Sequence, residues 1–147
     1  MKKLISLFSV ILMITALIVF PVHAQESETV EYLPDGSYYV TTIEQSNIQP
    51  FSSGTTSGSK ITTYKNSNGV TIFTFKLTGY FTYTGSSASC TKATGELTYI
   101  HPNCSNTSYG AYPSWNQAVG YVKTTYRGIV PCEKEIRLTC DNNGNLS

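Results

Sequence analysis

The chain has 147 residues and carries 10 Lys and Arg against 9 Asp and Glu, a formal net charge of +1. A near-neutral chain without a basic block has no electrostatic footprint for nucleic acid or anionic lipid. Its length corresponds to one domain, large enough to bury a core of its own.

The N-terminus opens with Lys2 and Lys3, continues in an apolar run from Leu4 to Phe20, and is broken by Pro21. Val22-His23-Ala24 then offers small residues at the offsets used for cleavage before Gln25. This is the layout of a secretory signal peptide, an apolar leader helix over residues 1–24. A 17-residue apolar run approaches the length of a spanning helix, so a membrane anchor is the alternative. The proline and the small-residue site favour cleavage, and no cysteine follows the run to accept a lipid. The expectation is an exported, extracellular protein with no membrane association after cleavage. The mature chain, 25–147, has 123 residues, 8 basic against 9 acidic side chains and all 11 tyrosines. It also holds 15 Ser and 19 Thr, a hydroxyl-rich composition that suits pleated, half-buried surfaces.

Residues 25–36 read as an acidic N-terminal extension ending in the turn signal Leu33-Pro34-Asp35-Gly36. Residues 37–147 read as a single all-β domain. "SYYVTTIEQ" (37–45) is its first strand, and the Ser/Gly/Thr-rich stretch 46–59 is a loop. "KITTYKNS" and "VTIFTFKLTGYFTYTG" flank Asn68-Gly69, the signature of a two-residue hairpin turn. That turn sets Tyr64 opposite Phe73 and Thr62 opposite Phe75. Tyr64, Phe73, Phe75 and Leu77 then share a core face, with Lys65, Ile72, Thr63, Thr74 and Lys76 on a mostly polar one. Gly79 interrupts the long strand where a bulge or bend would let it serve two sheets.

Further on, "GELTYI" (95–100) is a short strand, and 101–116, with two prolines, is a loop. "QAVGYVKTTYR" (117–127) and "IVPCEKEIRLTC" (129–140) are the last two strands. In the final one Val130, Cys132, Ile136, Leu138 and Cys140 alternate with Glu133, Glu135 and Arg137. The predicted fold is a small antiparallel β-sandwich of six or seven strands, with the 60–84 hairpin at its centre.

Four cysteines in an exported chain predict two disulfides. Cys132 and Cys140 fall eight residues apart on one strand, roughly 26 Å at strand rise, so neither can pair with the other. Cys90–Cys140 with Cys104–Cys132 is the favoured connectivity, and Cys90–Cys132 with Cys104–Cys140 the remaining one. With no Cys-x-x-Cys and one mature histidine, His101, a metal site is not expected.

Catalytic chemistry has little support. His101 has no Gly-x-Ser-x-Gly partner motif, and Glu133 and Glu135 lie on a charged, solvent-facing strand side. No enzyme activity and no cofactor are expected. "DNNGN" (141–145) departs from a calcium loop in the place of its glycine and reads as a C-terminal turn. The candidate ligand-binding residues are Tyr109, Tyr112 and Trp115 in "SYGAYPSW". Exposed aromatics on a rigid loop stack on sugar rings or grip partners. The favoured plain reading instead has Trp115 plugging one end of the core beneath the tyrosines.

"LPDGSYYVTTIEQ", "NSNGVTIFTFKLTGYFTYTGSSASCTKATG" and "KEIRLTCDNNGNLS" together resemble a family of small exported proteins of clostridia and related Gram-positive bacteria, catalogued as a domain of unknown function. The resemblance implies a bacterial source and secretion, and brings no catalytic residue with it. The expected function is a non-enzymatic binding or interaction module for an extracellular glycan or cell-surface component. The alternative is a secreted toxin or antimicrobial factor, which would want a basic surface or an outward apolar hairpin.

Overall fold

The computed structural model describes residues 27–46 and 53–147. The expected signal peptide and residues 47–52 of the expected loop lie outside the described residues. Eight strands follow in chain order: β1 (Ser27–Tyr32), β2 (Tyr38–Ser46), β3 (Gly54–Lys65), β4 (Thr71–Tyr83), β5 (Ala88–Ile100), β6 (Cys104–Ser114), β7 (Gln117–Tyr126) and β8 (Val130–Thr139). They build a five-stranded sheet ordered β1-β2-β3-β4-β5 and a three-stranded sheet ordered β6-β7-β8, with every pairing antiparallel. The all-β expectation holds, with eight strands in place of six or seven.

The alternation in β4 decides the core. Phe73, Phe75, Leu77, Phe81 and Tyr83 are buried, while Thr82 and Tyr80 are exposed. Each fully buried Phe or Leu stabilises the fold by about 1.5–3 kcal/mol. The smaller sheet answers with Ala118, Val122, Ile136 and Leu138. Close approach of the sheets depends on a missing side chain: a Cβ at Gly120 would stand 2.8 Å from the Phe75 ring. The hydroxyls have structural work as well. Thr41–Thr62, Thr63–Thr74, Ser59–Thr78 and Thr107–Thr124 pair across neighbouring strands at 2.8–3.2 Å. Among the described residues no buried side-chain polar atom lacks a partner.

Several expectations are corrected. The predicted register holds at Tyr64↔Phe73 and Thr62↔Phe75, but the turn is not a two-residue one. Asn66 N–H donates to Val70 O, Asn66 Oδ1 accepts from Asn68 and Val70, and Gly69 alone takes a positive φ (77°). The register shifts between Tyr64 and Lys65, and the extra residue turns Ile72 into the core at 0% exposure instead of onto the polar face. A register shift against β5 does fall close by, between Tyr80 and Phe81, but Gly79 does not carry β4 into a second sheet. It pairs in register with Gly58 and Ala93, and is glycine because the Phe81 ring lies over it, 2.5 Å from where a Cβ would be.

Two predicted loops are strands. Residues 54–59 belong to β3, whose small residues make room for the C-terminus: a Cβ at Gly58 would meet Leu146 Cδ1 at 2.5 Å. Within 101–116, residues 104–114 are β6, with Pro113 on an edge strand where a missing N–H leaves the ladder intact. Pro131 uses the opposite edge, β8, in the same way. "GELTYI" is the end of the longer β5, and part of the acidic 25–36 segment is β1. Val130, expected in the core, is 40% exposed at the start of β8.

Candidate functional site

The aromatic segment is a β-hairpin, not a loop. Ser114 pairs with Gln117, so Trp115 and Asn116 form a two-residue tip between β6 and β7. Trp115 is 90% exposed, which overturns the reading that it plugs the core. Its φ is 54° while Asn116 keeps a negative φ, a turn pattern that usually places glycine first. Left-handed backbone costs a residue with a Cβ about 1–2 kcal/mol. The strain is held from both sheets. Cys90 N–H of β5 donates to Trp115 O at 2.6 Å, and Cys140 N–H donates to Asn116 O at 2.9 Å. Asn116 Nδ2 donates in turn to Cys140 O at 2.9 Å.

Strand alternation separates the other two candidates. Tyr109 pairs with Val122 on the core side, its ring edge-on to Phe75 at 6.3 Å. Tyr112 pairs with Val119 on the outer side, so the three aromatics do not converge on one surface. The outer face instead gathers Tyr112 and Tyr121, both partly exposed, around a buried Val119. Tyr121 leans over Gly110, where a Cβ would sit 2.9 Å from its hydroxyl. The odd-numbered pattern of "QAVGYVKTTY" carried the signal for Tyr121.

Two polar loops flank the Trp115 tip. Gly85 N–H donates to Asn142 O, which ties the β4–β5 turn to the C-terminal turn. That turn is built on Asp141, as expected for "DNNGN". Its Oδ1 accepts from Asn143 and Asn145 N–H at 2.8 Å, and its Oδ2 from Asn145 Nδ2 at 2.7 Å. These bonds, led by the Asn145 side chain, hold the Asp141 carboxyl below the usual carboxylate range. Gln45 reaches across from β2, donating to Gly144 O and accepting from Leu146 N–H. Ser86, Ser87, Asn142 and Asn143 are exposed in these two turns.

All four cysteines are free thiols in this structure, so neither expected disulfide is formed. Strand order corrects the connectivities further. No Cα of β8 lies within 8 Å of a Cα of β6 or of β5. Cys104–Cys132 and Cys90–Cys132 are both out of disulfide reach, because β7 separates β6 from β8. Cys90 and Cys140 are different: their N–H groups bind the adjacent carbonyls of Trp115 and Asn116. Burial pushes the Cys140 thiol up to about 11, helped by the Asp141 charge and then by Cys90.

At the other end of the molecule a cleft of about 580 Å³ lies between the β1–β2 and β7–β8 turns, over Tyr39, Tyr64 and Cys132. Burial raises both phenols above their ordinary range, and Tyr39 Oη donates to Glu133 O. His101 Nδ1 accepts from Asn103 N–H, and its ring stands edge-on to Tyr126 at 5.2 Å. Among the described residues no three His, Cys, Asp or Glu side chains converge as a metal site would require. No protein family, no curated protein and no solved structure matches this chain.

Proposed function

We propose that the protein is an exported, non-enzymatic binding module whose Trp115 end stacks on a ring of an extracellular glycan or cell-surface component. The observation that carries this reading is the backbone of Trp115. A bulky aromatic that is 90% exposed gains almost nothing from burial, yet it occupies a strained left-handed position clamped by bonds to both sheets. A solvated indole on a backbone held by main-chain bonds, near Ser, Asn and Asp turns, matches the demands of a sugar: a flat apolar face for the ring and adaptable hydrogen bonds for its hydroxyls. The signal-peptide layout of residues 1–24 and the resemblance to exported clostridial proteins support the location.

The test is binding of the purified protein to insoluble polysaccharides and peptidoglycan, beside Trp115→Ala and Tyr112→Ala variants. Trp115→Ala should lose retention while its circular dichroism stays that of the parent, and Tyr112→Ala should lose less. Equal retention of parent and Trp115→Ala on every glycan tested sinks the proposal. Liposome leakage that both variants preserve would favour the toxin reading.

We also infer that, after export, a disulfide oxidant takes two electrons and two protons from the Cys90 and Cys140 thiols, itself being reduced to a dithiol, and leaves a Cys90–Cys140 bond. The bond would join β5 to the end of β8 behind the Trp115 tip, reinforcing the clamp that the backbone bonds already make. Cys104 and Cys132 would stay reduced.

A further inference from the structure

The two sheets do not match in width, and the mismatch leaves a polar groove. No Cα of the three-stranded sheet lies within 8 Å of a Cα of β1 or β2. Between that uncovered inner face and the edge of β8 runs a groove of about 340 Å³, floored by Thr29, Thr41 and Thr62. Lys60 enters it from β3. Paired with Ile43 and Leu77, it falls on the core-facing side of its strand, where a lysine is out of place.

The charges in the groove do not balance. Lys134 Nζ sits 2.6 Å from Glu31, and Arg137 sits 2.6 Å from Glu135. Lys60 has no carboxylate within 4 Å among the described residues; its Nζ donates to the main-chain oxygen of Arg137 at 2.9 Å. Burial first, and the neighbouring Lys134 charge second, lower its pKa below the ordinary lysine value. A half-desolvated ammonium with one neutral acceptor retains donors for an incoming anion.

We propose that this groove is a binding site for a carboxylate carried on a sugar, a uronate residue, with Lys60 as its cation and the Thr29 and Thr41 hydroxyls on its polar floor, Thr62 being buried beneath. The anion follows from the uncompensated charge, and the sugar rests on the glycan reading of the Trp115 end. An extended acidic peptide is the other candidate, and the strand edge argues against it. Adding a strand to β8 needs a run of open main-chain groups. Tyr39 Oη already occupies Glu133 O and Lys60 Nζ occupies Arg137 O, leaving only Glu135 open between them on that edge.

Calorimetric titration with trigalacturonate, cellotriose, triglutamate and sodium sulfate tests the proposal on the parent protein, Lys60→Met and Lys60→Arg. Trigalacturonate should saturate the parent, weaken about tenfold or more in Lys60→Met, and recover most of its affinity in Lys60→Arg. Lys60→Met keeps the aliphatic stem, and its melting temperature should equal or exceed that of the parent. Trigalacturonate binding that Lys60→Met leaves unchanged, or no binding to the parent, overturns the proposal. Sulfate or triglutamate binding as tightly as trigalacturonate overturns the sugar assignment. Trp115→Ala, run with the same probes, keeps the two sites apart. If the Trp115 reading fails, Lys60-dependent binding of trigalacturonate is still measured on its own.

Discussion

Replacing Trp115 by glycine should stabilise the protein relative to alanine while removing the proposed stacking surface equally. Trp115 is 90% exposed, so truncation forfeits about a tenth of roughly 250 Å² of indole surface, ~0.6 kcal/mol. Alanine and glycine lose this alike. They differ in the backbone: at φ 54° alanine keeps the left-handed strain, worth about 1–2 kcal/mol, and glycine does not. Glycine returns about 0.5–1 kcal/mol of that through its freer unfolded chain. The net advantage of Trp115→Gly over Trp115→Ala is about 0.5–1 kcal/mol, roughly 2–4 °C in melting temperature for a domain of this size. Urea and thermal unfolding of the three proteins, with equal m-values, read the order directly. Glycan retention should fall to the same level in both variants. A glycine variant less stable than the alanine variant would refute the claim that the tip holds a strained backbone, and with it the main support for a built binding site.

The remaining predictions follow from geometry elsewhere. Gly120→Ala puts a Cβ 2.8 Å from the Phe75 ring and 3.1 Å from Leu77, so it should cost about 1–3 kcal/mol in urea unfolding. A non-reducing peptide map of exported protein should show a Cys90–Cys140 bridge, with Cys104 and Cys132 alkylated without reductant; a Cys104–Cys132 bridge would contradict the strand order β6-β7-β8. In fully reduced protein near pH 8, the half-buried Cys104 should alkylate before Cys140, whose pKa of about 11 keeps it protonated. The Asp141 carboxyl is held below its ordinary value, so its contribution is present above the ordinary carboxylate range and lost as pH falls through the folded-state pKa. Unfolding midpoints followed from about pH 6 to about pH 2 should fall less in Asp141→Asn than in the parent.

The long-range plan of the sheets was legible where burial alone fixes the pattern. The β4 alternation marks the core face and the pairing with β3, because a one-residue slip would expose three phenylalanines, and β8's own alternation marks its inward side at Cys132, Ile136 and Leu138. Local composition misled where a distant contact set the residue type. Gly58 and its serine neighbours read as a linker by composition, yet Gly58 is glycine because Leu146 and the Glu44 main-chain oxygen leave no room for a Cβ. Pro113 looked like a loop residue because nothing local says that β6 is an edge. At the tip, average burial argued for an inward Trp115, and no sequence rule foresees a left-handed tryptophan. Lys60 is missed by the sequence analysis, although its shared parity with Thr62 and Tyr64 is a signal that places a cation on the buried side.

Those failures sort the candidate residues by physical weight. Tyr109 is half exposed, but its ring meets Phe75 edge-on and its backbone is ordinary strand, so packing accounts for it. Tyr112 pairs with the buried Val119 on the outer face, on ordinary strand backbone. Trp115 and Lys60 lack that account. One keeps an unfavourable backbone in order to stand in solvent, and the other keeps a charge on the core-facing side of its strand with no carboxylate within 4 Å among the described residues. Asn106 and Arg127 also take positive φ, but both are polar residues in irregular or turn positions; a large aromatic or a cation that breaks a backbone or burial rule without gaining stability is where selection for binding should be sought. An exposed aromatic by itself is common on a protein surface. A strained one, fixed by main-chain bonds from two sheets, asks for a ligand.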